Sequence, residues 1–216
     1  LAPEAGGPPV VVARLAEHPG PGWEARILTA GGARDGATVL PSQLAALRDR
    51  RVAQAVQGAD ILHLHTMWSP LNALAARAAR AKGTPYVLSP HGMLDPWSMA
   101  QKAAKKRAYW RLVERRLARG AARLVWTAAA ERDLARDSVG EIGPGAVIPL
   151  GADAPPGDGG ALAAAFAAER PDLAGKPLVI FLGRLHPKKR PEAAIAAMPA
   201  LRAAVPEATL VFVGTG

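Results

Sequence analysis

Cysteine is absent from the 216 residues of the sequence. The chain therefore cannot form disulfide bonds, a catalytic thiolate or a cysteine-ligated metal site, and this composition is typical of a cytoplasmic protein. Long apolar runs are also absent, since no stretch reaches the roughly 18 residues that a membrane-spanning helix needs. Residues 1–12 lack the basic start and apolar core of a secretory signal. Aromatic residues make up only 5%, yet 50% of the residues are hydrophobic, which suffices for a packed core.

Positive charge is present in excess and is unevenly distributed. The formal net charge is +9, and residues 102–123 hold nine Lys or Arg against one acid, Glu114. That segment therefore contributes +8 and leaves +1 for the rest of the chain. The sequence describes one basic segment on a nearly neutral body.

Hydrophobic periodicity and turn residues predict alternating strands and helices. The predicted strands cover residues 24–30, 60–66, 85–89, 123–127, 146–150, 178–182 and 208–213. The predicted helices cover residues 10–17, 42–57, 70–82, 98–119, 128–136, 161–169 and 191–204. Such alternation predicts an α/β fold built on parallel, doubly wound sheets.

Composition divides the chain into two predicted domains. Residues 1–150 form a Rossmann-like domain, residues 151–160 a linker rich in Gly, Pro, Ala and Asp, and residues 161–216 the start of a second Rossmann-like domain. The second sheet has two predicted strands, too few to cover its own faces. The missing initiator Met and the ending just after a strand predict a fragment of a longer protein.

A dense cluster of cations lies between the predicted strand 178–182 and the helix that starts at Pro191. The unbroken apolar strand is expected to be buried on both faces. The cluster comprises Arg184, His186, Lys188, Lys189 and Arg190. Since ligands bind at the carboxyl ends of parallel strands and a helix start favours anions, the segment is interpreted as a phosphate or diphosphate cradle. A solvated basic loop is the alternative.

Histidines occur at the ends of two other predicted strands. His63 and His65 alternate along a strand and point to one face, as a metal pair would, but no third ligand with suitable spacing is evident. His91 is followed by Gly92 at the carboxyl end of the next strand, where a site residue is expected. A histidine that is hydrogen-bonded within its own loop would explain His91 equally well.

The predicted helix 98–119 begins with a capping box at Ser98 and carries a basic face. Its basic residues are Lys102, Lys105, Lys106, Arg107, Arg111, Arg115 and Arg119. A solvated face usually mixes charges of both signs, whereas a basic amphipathic helix is typical of binding to anionic lipid. Nucleic acid is the competing partner, but the spaced aromatic residues of a single-strand binder are absent. A merely solvated face is the remaining alternative.

Six motifs, in this order and spacing, resemble those of GT-B glycosyltransferases of family 4. They follow Gly6-Gly7-Pro8 and are DILHLHTMWSP (60–70), SPHGMLDPWS (89–98), YWRLVERRL (109–117), VIPLGAD (147–153), GRLHPKK (183–189) and VFVGTG (211–216). The resemblance covers essentially the whole chain. The first strand of the family pattern, which would precede Gly6, is missing from the sequence. It implies a retaining transferase that moves a sugar from a nucleotide-diphosphate sugar to a hydroxyl, in the synthesis of cell-surface polysaccharide or glycolipid.

The resemblance also implies roles for individual residues. Arg184 and Lys189 match the basic pair that binds the donor diphosphate, and His91 matches a histidine that contacts the transferred sugar. Gly6 and Gly7 match the loop beneath the diphosphate. No metal cofactor is expected. The expected partners are a nucleotide sugar, a sugar or lipid-linked acceptor and an anionic membrane surface but no nucleic acid, which places a cytoplasmic protein on the inner face of the plasma membrane.

The sequence departs from the family pattern at two points. Arg190 stands where the family usually has Gly, and the two-glutamate motif that binds the donor ribose is not found within the 216 residues. The fragment by itself is therefore expected to be inactive. Two alternatives remain: a nucleotide-sugar epimerase of the same fold, and a non-catalytic protein that binds membrane or nucleic acid through the basic helix 99–119.

Overall fold

The computed structural model describes residues 7–31, 37–43, 50–152, 154 and 157–214. Contacts divide the chain into two compact units, Leu1–Gly151 and Ala152–Gly216. In both units the described sheets are entirely parallel. The predicted parallel α/β class is therefore present in each unit.

Unit 1 alternates strands with helices. Its strands are β1 (Ile27–Ala30), β2 (Ala37–Leu40), β3 (Leu62–His65), β4 (Tyr86–Ser89), β5 (Arg123–Trp126) and β6 (Gly145–Val147). Its helices are α1 (Gly7–Glu17), α2 (Arg50–Gln57), α3 (Pro70–Lys82), α4 (Pro96–Ala100), α5 (Ala103–Tyr109), a π-helix (Trp110–Glu114), α6 (Arg115–Arg119) and α7 (Ala129–Val139). Sequence periodicity missed β2, and residues 44–49 of the predicted helix 42–57 lie outside the described part of the chain.

The central sheet of unit 1 has four strands in the order β3-β4-β5-β6, and β1 pairs separately with β2. Tyr86 and Leu88 of β4 and Leu124 of β5 are almost wholly buried. Each fully buried apolar side chain contributes about 1.5–3 kcal/mol. The core therefore holds the strand ends, and with them the loops that follow, in a defined register.

Helix α3 shows why local sequence signals succeed where they are strong. The Ser69 hydroxyl accepts from the Asn72 amide, and Pro70 occupies the first turn. Gly83 ends the helix in the left-handed conformation, with φ of 76°. Both predicted ends are confirmed.

The prediction of one helix over 98–119 is wrong in two respects. The helix begins at Pro96, where the Asp95 carboxylate accepts from the Ser98 amide at 2.6 Å, so Asp95 rather than Ser98 is the cap. Lys102, with φ of 54°, then interrupts the helix. The Ser98 hydroxyl instead donates to the Gly92 carbonyl, since its side chain is directed into the loop after β4.

A π-helix replaces the regular turn at Trp110–Glu114. The wider turn rotates the side chains that follow it, as π-helical turns often do at functional sites. Trp110 and Glu114 point inward and are buried, whereas Leu112 is 80% exposed.

Unit 2 contains a two-stranded sheet and three helices in its described part. The strands are β7 (Leu178–Leu182) and β8 (Thr209–Val213), and the helices are α8 (Gly159–Glu169), a 3-10 turn (Pro187–Lys189) and α9 (Pro191–Ala204). The strand β7 was expected to be buried on both faces, but Ile180 is 60% and Leu182 79% exposed. The reason is that a sheet of two strands cannot cover both faces.

A helix must be long and apolar to cross a membrane. Among the described residues, none of the helices is both long and apolar enough to cross a bilayer.

Candidate functional site

The carboxyl ends of β3 and β4 bring three histidines together. His63 and His65 point to one face of β3, as predicted, and their ring centroids are 3.9 Å apart. The ring centroid of His91, in the turn after β4, lies 5.3 Å from that of His65. We call His63, His65 and His91 the histidine cluster. The sequence singled out all three histidines but gave no indication that His91 meets His65.

Each ring of the cluster has a hydrogen-bond partner. His65 Nδ1 lies 3.0 Å from His91 Nε2, and His63 Nε2 lies 2.8 Å from the hydroxyl of the buried Ser89. His91 is thus bonded to a neighbouring strand and not within its own loop. The alternative explanation of His91 from the sequence is wrong in that respect.

Desolvation keeps the cluster neutral. Burial, reinforced by the neighbouring histidines, lowers the pKa of His65 to about 3. Burial likewise lowers the pKa of His63 to about 4, although part of that side chain remains exposed. The pKa of His91 is also lowered by burial, against the opposing effect of the Glu131 carboxylate. At neutral pH the three rings are therefore uncharged and each carries one N–H.

The cluster is not arranged as a metal centre. Within the described residues, no group of three or more His, Asp or Glu side chains is placed to hold a metal ion. The facing nitrogens of His65 and His91 are hydrogen-bonded to each other, so they do not converge on a common point.

A carboxylate clamps the turn that carries His91. Both His91 and Gly92 adopt positive φ, 54° and 68°. Such backbone costs free energy in a non-glycine residue and persists only where surrounding contacts hold it. Glu131 supplies them: one oxygen accepts from the Gly92 amide at 2.7 Å, and the other accepts from the amide and hydroxyl of Thr127 at 2.7 and 2.6 Å.

A second carboxylate holds the loop after β3. Thr66 and Trp68 have positive φ, 71° and 64°. The Trp68 amide donates to Glu114 at 2.7 Å, and burial raises the pKa of Glu114 to about 7 despite backbone hydrogen bonds from Trp68 and Ser69. Glu114, the one acid among residues 102–123, is thus fully buried.

Sequence reasoning missed Glu131 and counted Glu114 only as a charge. One signal for Glu131 was available: an acid in the first turn of α7, where carboxylates cap amides. Its reach to Gly92, 39 residues away, depends on the fold.

In unit 2, the predicted cradle forms an exposed loop, which we call the basic loop (184–190). Its cationic side chains Arg184, Lys188, Lys189 and Arg190 are all exposed, as is His186. The His186 ring accepts from the Lys188 amide at 3.2 Å, and a 3-10 turn leads into α9 with Pro191 in its first turn. The loop therefore lies between a strand end and a helix start, as predicted.

Arg190 adopts a backbone conformation that favours glycine. Its φ and ψ are both 53°, the left-handed conformation, which glycine adopts at least cost. The Arg190 guanidinium lies 3.7 Å from the Glu192 carboxylate, an exposed pair of small energetic weight.

The glycine loop is only partly within the described residues. Gly6 lies outside them. Gly7 is the first residue of α1 and is exposed, with open space where a Cβ would be.

Most of the predicted basic residues of 99–119 are exposed. The exposed ones are Lys102, Lys105, Arg107, Arg111, Arg115 and Arg119, which we call the basic face. Lys106 is half-buried: its Nζ donates to the Ser98 carbonyl and lies 5.3 Å from the centre of the Trp68 ring. Lys106 therefore also contacts the loops around the histidine cluster, and its place on the membrane-binding surface stays a prediction.

Comparison with known proteins gives consistent matches. Residues 3–151 match the family model described as a glycosyl transferase 4-like domain. The chain is similar to the GDP-mannose-dependent alpha-(1-6)-phosphatidylinositol monomannoside mannosyltransferase of Mycobacterium tuberculosis, with 30% identity over 172 residues, 78% of this chain and 42% of that protein. The protein of the same name from Mycolicibacterium smegmatis is 32% identical over 161 residues, 71% of this chain and 39% of that protein. The chain thus spans about two fifths of the length of these curated relatives.

Among solved structures, the chain is similar to HepE from Anabaena, crystallised in complex with UDP-glucose. The TM-score is 0.54 at 19% identity, covering 88% of this chain and 60% of that one. At this identity the likeness shows the fold alone, and it confirms the predicted GT-B class of α/β fold.

Proposed function

Because residues 3–151 match its family model, the chain belongs to the glycosyl transferase 4-like domain family, and we propose that the protein transfers a sugar from a nucleotide-diphosphate sugar to a hydroxyl acceptor. The family match is the observation that carries this proposal. The names of similar proteins support the donor class, since two are GDP-mannose-dependent and one was crystallised with UDP-glucose.

In this proposal the basic loop stabilises the leaving diphosphate. Arg184 offers a planar fork of N–H donors to phosphate oxygens, and Lys189 offers a compact charge. Both side chains are exposed in unit 2 and therefore accessible to an anion. Fixed donors that meet charge as it develops contribute about 3 kcal/mol each to the transition state. Gly6 and Gly7 are proposed to lie beneath the same diphosphate.

His91 is proposed to contact the transferred sugar. Its ring is neutral at working pH and rigidly held, which suits hydrogen bonding to a hydroxyl better than charge neutralisation. The proposed reaction proceeds with retention, by attack of the acceptor on the face that the diphosphate leaves. It needs no metal, because Arg184 and Lys189 neutralise the leaving group.

We propose that the acceptor is a sugar or lipid-linked sugar at the cytoplasmic face of the membrane. Two relatives are named as acting on a phosphatidylinositol monomannoside, which supports a lipid-linked acceptor. The basic face supports contact with anionic lipid, and exposed Leu112 adds an apolar side chain beside Arg111 and Arg115.

The transferase is tested by measuring sugar release and transfer from UDP-, GDP- and ADP-sugars. The enzyme in this assay is a family-length protein, that is, one that is as long as the curated relatives and contains these 216 residues. We expect turnover with one donor, and a loss on the order of a hundredfold in Arg184→Ala. Lys176→Ala, another exposed cation of unit 2, serves as the matched control and should leave turnover unchanged. Equal activity in Arg184→Ala and wild type would place the diphosphate elsewhere.

Product analysis in the same assay addresses the rival enzyme. Formation of an epimerised sugar without any acceptor would favour a nucleotide-sugar epimerase. Since the two-glutamate motif is not found in the sequence, we expect the 216 residues alone to show no turnover. Substantial turnover by that chain would contradict this part of the proposal.

The membrane contact is tested by co-sedimentation with phosphatidylserine vesicles. Neutralising Arg111, Arg115 and Arg119 to Gln should weaken binding on the order of a hundredfold, because each basic side chain contributes about 1 kcal/mol near the surface. The control neutralises Arg132, Arg136 and Arg170, which are also exposed but paired with aspartates. Undiminished vesicle binding would refute the lipid contact, and selective binding to oligonucleotides would favour nucleic acid.

A further inference from the structure

We propose that His65 is a positioning residue that fixes the tautomer and the ring orientation of His91 through their ring-to-ring hydrogen bond. This inference rests on the role proposed for His91. The contact joins His65 Nδ1 to His91 Nε2 at 3.0 Å, and the two ring planes lie within 16° of each other. The sequence offers no indication of it, because the residues lie 26 positions apart.

The backbone of His65 is held firmly enough to act as a support. In the register of the sheet, His65 pairs with Ser89, and the next amide, Thr66, donates to the Ser89 carbonyl at 2.9 Å. The Asn72 side chain donates to the carbonyls of both His65 and Thr66, at 2.8 and 3.1 Å. Position 65 is thus fixed by β4 and by the first turn of α3.

His91 depends more on such support. It lies in a turn with positive φ, and its Nδ1 has no hydrogen-bond partner within residues 7–31, 37–43, 50–152, 154 and 157–214. With Nε2 engaged by His65, Nδ1 is the ring atom left to meet a ligand. A rotation of the His91 ring or a change of tautomer would replace a donor by an acceptor at that atom.

The bond constrains the tautomers of both rings at once. Two neutral rings share one proton across the contact. If His65 donates from Nδ1, His91 must carry its own proton on Nδ1; if His91 donates from Nε2, His65 must carry its proton on Nε2. In either arrangement the two histidines have the same tautomer, so the geometry makes a sharp spectroscopic prediction.

His63 provides a matched contrast within the same cluster. Its Nε2 bonds to the Ser89 hydroxyl at 2.8 Å, and within the described part of the chain no hydrogen bond joins it to His91. Removing the His63 ring perturbs the cluster by a similar volume but leaves the contact between His65 and His91 in place. His65→Asn supplies a second contrast, because the Asn amide can place a hydrogen-bonding atom near the position of the lost Nδ1.

The experiment is a long-range proton–nitrogen NMR correlation of the imidazole rings at pH 7.5, recorded on the 216-residue chain. We expect His65 and His91 to show one and the same tautomer in wild type. His91 should become a mixture of tautomers in His65→Leu, and it should keep its wild-type tautomer in His63→Leu. Opposite tautomers in wild type, or an unchanged His91 in a folded His65→Leu, would overturn the proposal.

Turnover of the family-length protein gives the second readout. His65→Leu should lower kcat on the order of tenfold with the donor KM altered less than about twofold, since the loss is one of orientation. His65→Asn should recover kcat to within about threefold of wild type. Equal losses in the Leu and Asn variants would indicate a merely structural role. An inactive wild type would refute the proposed function, while the NMR result would still decide whether His65 positions His91.

Discussion

The histidine cluster of unit 1 and the basic loop of unit 2 achieve their geometry by opposite means. In unit 1, His91 is held by a ring-to-ring bond to His65, and its turn is held by the Glu131 carboxylate. In unit 2, Arg184 and Lys189 are exposed on a loop whose described hydrogen bonds are local. The contrast shows that a neutral ring needs packing to be aimed, whereas a cation attracts an anion from an exposed loop because charge acts over a distance.

The largest effect is expected from removing the Glu131 carboxylate, which holds the turn of His91 in unit 1. Glu131→Ala should lower the free energy of unfolding of unit 1 by about 3 kcal/mol, because it deletes three short hydrogen bonds to a charged acceptor. Urea unfolding followed by tryptophan fluorescence measures the loss. Glu141→Ala, an exposed acid of the same unit, is the control, and equal losses in the two variants would refute the clamp.

The buried Glu114 should make the stability of unit 1 depend on pH. Its folded pKa of about 7 lies above the unfolded value, so its contribution to stability is fully present below about pH 4.5 and is lost as pH rises through 7. Glu114→Gln keeps an acceptor for the Trp68 amide and removes the buried charge. We expect the variant to gain about 2 kcal/mol at pH 8 and little at pH 4.5, measured by urea unfolding at both values. A gain that is independent of pH would contradict this account.

His65 should produce the opposite pH dependence. Because its folded pKa of about 3 lies below the unfolded value of 6.5, its contribution is present above pH 6.5 and is lost as pH falls. His65→Asn should therefore reduce the loss of stability between pH 7.5 and pH 5 by about 1.5 kcal/mol. Thermal unfolding at the two pH values measures the difference, and identical slopes for wild type and variant would argue against a buried neutral ring.

The smallest effect is expected in the basic loop. Arg190→Gly should stabilise unit 2 by about 1 kcal/mol, because glycine adopts the left-handed backbone at this position without strain. Arg190→Ala removes the same side chain but keeps the backbone penalty, so it should show no gain. Hydrogen exchange of the β7 and β8 amides reports on unit 2 separately, and equal gains in both variants would assign the effect to charge.

Local signals predicted some elements closely and failed where distant contacts decide. The caps Ser69 and Gly83 were predicted correctly because they act within their own helix ends. The helix predicted for 98–119 was wrong at Ser98, which donates to Gly92, and at Trp110–Glu114, where a π-helical turn replaces the regular one. These departures depend on contacts that no periodicity in the sequence encodes.

The sequence by itself determined the alternation of strands and helices apart from β2 and the breaks within 98–119, the location of the cations and the motifs of the family, because these depend on residue type and spacing. Only the tertiary structure decided that His65 meets His91, that Glu131 holds the turn after β4 and that Glu114 is buried beneath a basic surface. The physical reason is that parallel strands join residues far apart in the chain, and a hydrogen bond formed across them depends on register and burial, which residue spacing does not specify.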